Sequence, residues 1–173
     1  MIAMVHPGPR SRTRDLLREL YGPGKSHYEQ QSDAHLIANW DPFEPDPART
    51  DATLDDLAAH LNRPAEHYAR PLIQYVWHCT ALTAHHDRPL TDTTWAWIAT
   101  RLIDAAGIAP YGDLEACRWI ALRHARDHIH LVATLVRQDG RIPEMRGNWY
   151  RMRETCDRIE AELGLHLTRS PWT

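Results

Sequence analysis

The 173-residue chain has few cysteines and no long apolar run, and these absences exclude several classes of protein. Its three cysteines, Cys79, Cys117 and Cys156, are odd in number and isolated, so they indicate neither a disulfide framework nor a zinc ribbon. We expect buried thiols. No apolar run reaches the roughly 18 residues of a membrane span, and the first residues lack the apolar stretch of a signal peptide. We therefore expect a cytoplasmic protein with no membrane partner.

Internal repeats, low-complexity segments and signs of a second domain are also lacking. The composition, 43% hydrophobic and 25% charged, is typical of a globular protein with a substantial core. We predict one domain over residues 1–165 and a poorly ordered tail over residues 166–173.

The chain has no overall positive charge, since its formal net charge is −3, but its charges are segregated. Residues 1–25 contain five basic and two acidic residues, and residues 117–153 contain eight arginines and three acids. The intervening residues 29–66 contain nine acids and two arginines. The two basic segments allow a local phosphate-binding face, and the alternative is that their arginines are solvated surface residues.

Histidine, by contrast, is abundant, with 12 residues. Two β-prone runs, residues 118–124 and 128–136, are separated by only residues 125–127, which is the length of a hairpin loop. The second run begins with a His-x-His pair, and the first run ends with a histidine. The pattern therefore predicts a hairpin that gathers three imidazoles.

These three imidazoles are candidate metal ligands. His128 and His130 point to the same face of a strand with Cα atoms about 6.6 Å apart, and His124 lies across the turn. Neutral imidazole binds Zn, Mn and related divalent ions, and three protein ligands leave positions open for water or a substrate oxygen. The alternative is a set of ordinary polar histidines on a solvated face, which a histidine-rich chain also produces by chance.

Four nearby residues are candidates for supporting roles. Asp127 can orient a ligand imidazole or simply make the turn. His78 is either a second-shell group or a satisfied core histidine on a central strand. Arg123 and Arg126 can hold phosphate or be solvated.

The remaining patterns predict the order β-α-β-α-β-α-β-β-α and an α/β (α+β) fold. Strands are expected over residues 2–6, 35–40 and 72–82 besides the hairpin. The first helix is expected between a cap at Ser11 or Thr13 and a stop at Gly22, and the second between a capping box at Thr53 and about Asn62, ahead of Arg63 and Pro64. The third helix is expected to begin after a cap at Thr91 and to end at Gly107. The fourth is expected to begin with a cap at Asn148, and its buried face should consist of Trp149, Met152, Cys156, Ile159 and Leu163. Packing both faces of a sheet requires helices on each side, so we predict one sheet of about five mixed or mainly antiparallel strands.

Residues 123–130, RHARDHIH, followed by LVATLVRQDG over 131–140, closely resemble the histidine motif of relaxases. These are the mobilisation endonucleases of the His-hydrophobic-His superfamily, and the similarity is to the actinobacterial plasmid-mobilisation branch in particular. It continues in the family's order over nearly the whole chain, in LYGPGK at 20–25, DAHLIANW at 33–40, WHC at 77–79, NW at 148–149 and LGL at 163–165.

The resemblance implies a fold with the histidine hairpin at the centre of the sheet, and an enzyme that breaks one DNA strand. In such enzymes a tyrosine attacks a phosphodiester and leaves a reversible 5′-phosphotyrosine link. The implied cofactor is a divalent ion, Mn, Mg or Zn, on His124, His128 and His130. The implied partners are single-stranded DNA at a transfer origin and an accessory mobilisation protein, with Lys25, Arg123 and Arg126 as candidate DNA contacts.

The family's tyrosine usually lies on the first helix, just ahead of the glycine-rich loop, and in our alignment that position is Glu19. Tyr21 is two residues later, and two residues turn a helical side chain by about 200°. We take Tyr21 as the candidate nucleophile, with a core aromatic as the alternative role and Tyr28 or His27 as substitutes. A phenol is mostly neutral at pH 7, so a nearby metal, arginine or histidine would have to assist it.

The preferred function is thus a metal-dependent relaxase. One alternative is a relaxase-like protein that binds single-stranded DNA without nicking it. The other is a small-molecule metalloenzyme that uses the same histidines.

Overall fold

A computed structural model describes residues 1–6, 12–22, 34–68, 72–123 and 125–168. Alternating β-branched and aromatic runs form the strands, and amphipathic segments form the helices. The strands are β1 (Ile2–Val5), β2 (His35–Asn39), β3 (Val76–Leu82), β4 (Cys117–Arg123) and β5 (His128–Arg137). The helices are α1 (Thr13–Tyr21), α2 (Leu54–Glu66), α3 (Asp92–Ala106) and α4 (Asn148–Leu163). The predicted order of elements is confirmed.

The strands form one sheet in the order β1-β3-β5-β4-β2, and every described pair is antiparallel. Strand β5, which carries His128 and His130, is the central strand, and β4 is its hairpin partner. The prediction of a five-stranded, mainly antiparallel sheet with the histidine hairpin at its centre is therefore confirmed.

Alternation along β5 separates the two faces of the sheet. Ile129, Leu131 and Ala133 belong to the larger core cluster, which includes buried side chains of α3 and α4. Val132 belongs to the smaller cluster, which contains leucines of α1 and α2. His128, His130 and Val132 alternate with the first set, so the histidines lie on the face that α1 and α2 cover in part.

Helix α2 departs from the prediction because it continues through Pro64 to Glu66 instead of ending near Asn62. A proline inside a helix cannot donate to the carbonyl four residues earlier, here that of His60. Arg118 of β4 supplies the missing donor, since its Nη1 lies 2.7 Å from the His60 oxygen. Thr134 of β5 also donates to the Leu61 oxygen at 2.8 Å. The sheet therefore replaces a hydrogen bond that the helix lacks.

Other local predictions have mixed outcomes. The Thr53 capping box, the Thr91 cap and the helix end at Gly107 are confirmed. The Thr13 cap is wrong: Thr13 is the first residue of α1, and its hydroxyl donates to Asn62 instead. Ser11 lies outside the described residues.

Two further predictions are corrected. Asn148 begins α4 without capping it, because Gly147 occupies the cap position, and Trp149 is half exposed, because the buried stripe starts at Met152. Strand β3 begins at Val76, so the predicted start at residue 72 is too early.

All three cysteines are buried free thiols, as predicted, and burial raises the pKa of each. The start of the predicted tail is attached to the domain, since the Thr168 amide donates to Glu160 at 2.9 Å. Residues 169–173 lie outside the described part of the chain. None of the helices in that described part has the length and apolar character of a membrane-spanning segment.

Candidate active site

The loop of the central hairpin is held by Arg123 of β4 and by Thr83, which directly follows β3. The Arg123 guanidinium donates to the backbone oxygens of Ala125 at 3.1 Å and Arg126 at 3.4 Å, and it also pairs with Asp92 at the start of α3. On the other side, the Thr83 amide donates to the Asp127 oxygen at 3.0 Å. Residues 125–127 of the hairpin loop are therefore attached to the domain on both sides.

Asp127 and His128 form a carboxylate–imidazole pair at the start of β5. The Nδ1 atom of His128 lies 2.9 Å from Oδ1 of Asp127. An ionised carboxylate can only accept, so this geometry favours a proton on Nδ1 of His128 and leaves Nε2 as its metal-binding nitrogen. Asp127 thus has the contact that its predicted orienting role requires.

His130 is buried, with 9% of its surface exposed, and its Nδ1 also faces protein groups. That nitrogen lies 3.1 Å from Nε2 of His78 and 3.2 Å from the Thr80 hydroxyl oxygen. His78 therefore contacts the imidazole of a predicted ligand. The rings of His128 and His130 are perpendicular, with centroids 5.2 Å apart.

A fourth histidine, His6, completes this cluster and was not among the predicted site residues. Its ring stacks on His78 with centroids 4.0 Å apart and an angle of 6° between the planes. Its Nε2 lies 2.8 Å from the Thr80 hydroxyl oxygen. No sequence signal identifies this contact, because it depends on the pairing of β1 with β3.

The two imidazoles of β5 have the donor chemistry that a divalent metal ion prefers. His128 and His130 lie on one face, and both have Nδ1 beside another protein group, so an ion would be bound through Nε2 of each ring. His124, the third predicted ligand, lies outside the described residues. Within the described ranges, no group of three or more histidine, cysteine or acidic side chains converges on a metal position.

Tyr21, the candidate nucleophile, packs beside the α1–α2 core cluster, and its phenol oxygen is buried without a hydrogen-bond partner among the described residues. Burial and the nearby carboxyl groups of Asp46 and Glu44 raise its pKa, which opposes formation of a phenolate. Glu44 interacts with Arg118 at the start of β4, whereas the histidine hairpin lies at the other end of that strand. Attack by Tyr21 would therefore require the phenol to leave this buried position.

Glu19, at the family's usual tyrosine position, is exposed on α1. The substitute nucleophiles His27 and Tyr28 and the predicted DNA contact Lys25 lie outside the described residues.

Most arginines of the basic segment 117–153 bind groups of the domain itself. Carboxylates pair with four of them, and backbone oxygens accept from two others: Arg123, Arg137, Arg141 and Arg153 in the first group, Arg118 and Arg151 in the second. Only Arg126 and Arg146 have side chains that make no such bond to a described residue, and both are exposed. Arg126 lies in the hairpin loop, two residues before His128.

Comparison with protein families matches residues 49–165 to the relaxase family, described as MobA/VirD2-like, nuclease domain. A search of curated proteins and a search of solved structures each found no match. The matched region contains β3, β4, β5 and the whole histidine hairpin, and it covers more than half of the chain. The chain therefore belongs to the relaxase family, whose nuclease domains nick DNA, bind single-stranded DNA and in general depend on a divalent metal ion.

Proposed function

We propose that this domain nicks one strand of DNA at a transfer origin and joins the cut end to a tyrosine, in a reaction that depends on a metal ion bound by His124, His128 and His130. The observation that carries the proposal is the pair of imidazoles on β5, each with its Nδ1 beside another protein group. The actinobacterial mobilisation type and an accessory protein partner belong to the same proposal and rest on the sequence motifs.

In this proposal the described residues of the hairpin and its neighbours orient the metal ligands and contact the DNA. Asp127 and His78 orient the two imidazoles of β5, and Arg123 keeps the loop between the hairpin strands in place. A bound divalent ion would polarise the scissile phosphate and offset the negative charge of the transition state. Arg126, which is exposed beside these ligands, would contact a neighbouring phosphate.

The proposed nucleophile is Tyr21, with Tyr28 or His27 as substitutes. Tyr21 is the nearer to the family's position along the chain, but its buried phenol and raised pKa do not favour attack from the conformation described above. A movement of Tyr21 towards the hairpin would expose the phenol to water. That exposure would end its burial and lower its pKa, since water stabilises the phenolate.

A covalent-adduct assay tests this proposal. The protein would be incubated with Mn and labelled single-stranded oligonucleotides that tile the DNA flanking its own gene, and adducts would be resolved on a denaturing gel. We expect an adduct from the parent, at least about a 100-fold lower yield from His130→Ala, and a normal yield from His67→Ala, an exposed histidine of the α2 end that serves as the matched control.

The same gel assigns the nucleophile. If Tyr21→Phe abolishes the adduct and Tyr28→Phe does not, Tyr21 is the attacking residue, and the reverse result assigns Tyr28. Tyr21→Phe removes a buried hydroxyl that has no described partner, so it should fold normally. An adduct of equal yield from His130→Ala would contradict the proposed metal site.

The burial of Tyr21 favours one second candidate, a relaxase-fold protein that binds single-stranded DNA without cutting it. That protein would retain oligonucleotides in a binding titration and would give no adduct with any metal. The family assignment favours both DNA functions over a small-molecule metalloenzyme.

A further inference from the structure

We propose that Thr80 and His6 are positioning residues that hold His130 in the tautomer able to bind a metal ion. This inference rests on the proposed function, because it concerns the same site. It adds two residues that the histidine motif does not contain, Thr80 on β3 and His6 directly after β1.

The argument begins with the nitrogen that binds the metal. A neutral imidazole has one proton, and a ring that binds an ion through Nε2 must carry that proton on Nδ1. Nδ1 of His130 must therefore donate a hydrogen bond. Nε2 of His78 and the Thr80 hydroxyl oxygen lie 3.1 and 3.2 Å from this nitrogen, and we take these two atoms as its acceptors.

The Thr80 hydroxyl can accept from His130 only while its own proton points elsewhere. Nε2 of His6, at 2.8 Å from the same oxygen, is the nearby group that can receive this proton. His6 must then carry its ring proton on Nδ1, and by the same reasoning His78 does so when its Nε2 accepts. One direction of the network, running from His130 to Thr80 to His6, is therefore compatible with metal binding.

The opposite direction disfavours metal binding. If His6 carried its proton on Nε2, it would donate to Thr80, and the Thr80 hydroxyl could then donate to Nδ1 of His130. In that arrangement His130 would have its proton on Nε2, the position that the metal ion needs. The tautomer of His6 thus biases the tautomer of His130 through the Thr80 hydroxyl.

Two features make this network rigid. Thr80, His78 and His130 are each less than 10% exposed, so water competes little for their hydrogen bonds. His6 is held by its stack on His78 and by a backbone hydrogen bond of 3.0 Å from its own amide to the His78 oxygen.

Metal affinity tests the inference without DNA. Titration calorimetry of the full chain with Mn or Zn alone, at pH 8, should give Thr80→Val an affinity about 10-fold weaker than that of the parent, since groups that orient ligands typically contribute 10-fold to 100-fold. Thr80→Ser keeps the hydroxyl and should bind like the parent. His6→Phe keeps the stack without the acceptor and should also weaken binding. Parent-like affinity in both Thr80→Val and His6→Phe would overturn the inference.

Imidazole ¹⁵N spectra of the metal-free protein report the tautomers of His6 and His130. These tautomers would not change in Thr80→Val if Thr80 only stabilised the fold. We expect His6 and His130 in the Nδ1–H form in the parent, and a mixture of tautomers at both rings in Thr80→Val. A parent with the proton of His130 on Nε2 would overturn the inference.

The two readouts separate this inference from the proposed function. If the parent binds no metal but has the expected tautomers, the metal-dependent reaction fails and the network stands. If the parent binds metal and forms the adduct while Thr80→Val is unchanged in both measurements, only the role of Thr80 and His6 fails.

Discussion

Glu44 lies in the connection between β2 and α2, and its carboxyl side chain is fully inaccessible to solvent. Burial, and then the negative charge of Asp41, raise its pKa to about 8, although Arg118 acts in the opposite direction. Neither carboxyl oxygen has a hydrogen-bond partner among the described residues. Glu44 is therefore protonated in the folded protein at neutral pH, whereas an unfolded chain would ionise it above about pH 4.5.

This difference predicts how stability depends on pH. Between the ordinary glutamate pKa and about 8, the unfolded state releases the proton and the folded state retains it, so the free energy of unfolding falls as pH rises. Glu44→Gln removes that dependence. We expect the variant to gain at least about 1 kcal/mol relative to the parent between pH 5 and pH 8 in denaturant titrations, since each pKa unit corresponds to about 1.4 kcal/mol.

The matched control is Glu66→Gln, which changes an exposed glutamate at the end of α2 and should leave the pH profile unaltered. A Glu44→Gln profile parallel to that of the parent would mean that Glu44 ionises normally in the folded protein.

At the scale of elements, α2 depends on the sheet for part of its hydrogen bonding. Pro64 leaves the His60 oxygen without a helical donor, and the Arg118 guanidinium occupies that place at 2.7 Å. Arg118 also stacks over Trp40, with 4.7 Å between the guanidinium carbon and the ring centroid. A single substitution therefore removes several contacts, and a double-mutant cycle is needed to isolate the contact with α2.

We predict a coupling free energy of about 1 kcal/mol between Arg118 and Pro64. In the parent, Arg118→Met leaves the His60 oxygen unsatisfied. In a Pro64→Ala background the new backbone N–H can bond that oxygen, so the same change should cost less stability. Urea titrations of the four proteins measure the difference, and Arg49→Met, an exposed arginine on the β2–α2 connection, should show no coupling to Pro64. Equal costs of Arg118→Met in both backgrounds would contradict the compensation.

The sequence mispredicts the C-terminal end of α2, which is stabilised by a residue far away in the chain. Pro64 is a local stop signal, and the group that overrides it, Arg118, comes from a strand more than 50 residues later. The caps at Thr53 and Thr91 were predictable because each cap oxygen and the backbone N–H that donates to it lie within one turn. The histidine hairpin was predictable for the same reason, since its loop is only a few residues long.

The contact of His6 with His78 depends on residues that are far apart in the sequence, so local patterns cannot predict it. It requires the register in which Val5 pairs with Cys79, and no feature of residues 2–6 specifies that partner. The burial of Tyr21 is a similar case. Its helical position was clear, but the acidic neighbours Glu44 and Asp46 come from a connection with no regular structure.

At the scale of the whole molecule, charge is arranged to hold the fold more than to attract DNA. Most arginines of residues 117–153 are bound to carboxylates or backbone oxygens of the same domain. Arg126 and Arg146 are exposed and make no such bond to a described residue. Arg126 lies in the loop of the histidine hairpin before β5, whereas Arg146 lies in the connection between β5 and α4.

This arrangement predicts unequal effects of two similar substitutions. Arg126→Ala should weaken single-stranded DNA binding and reduce the slope of log affinity against log salt by about 0.7, the loss of one phosphate contact on a single strand. Arg146→Ala removes the same charge in the connection between β5 and α4 and should change neither quantity by a comparable amount. Fluorescence anisotropy at several salt concentrations measures both, and equal losses from the two variants would mean that DNA binding is not centred on the hairpin.

The order of the strands in the sheet also has a consequence for how the domain folds. The β4–β5 hairpin joins neighbouring segments, whereas β1 pairs with β3 across most of the first half of the chain, Ile2 with Leu82. Loop closure makes such distant pairings slow compared with local ones. A refolding chain would form the hairpin with His128 and His130 first and would add His6 only when the edge strand docks. The tautomer of His130 would then be selected only after the hairpin has formed, so that a partly folded chain carries the histidine motif without a site ready for metal.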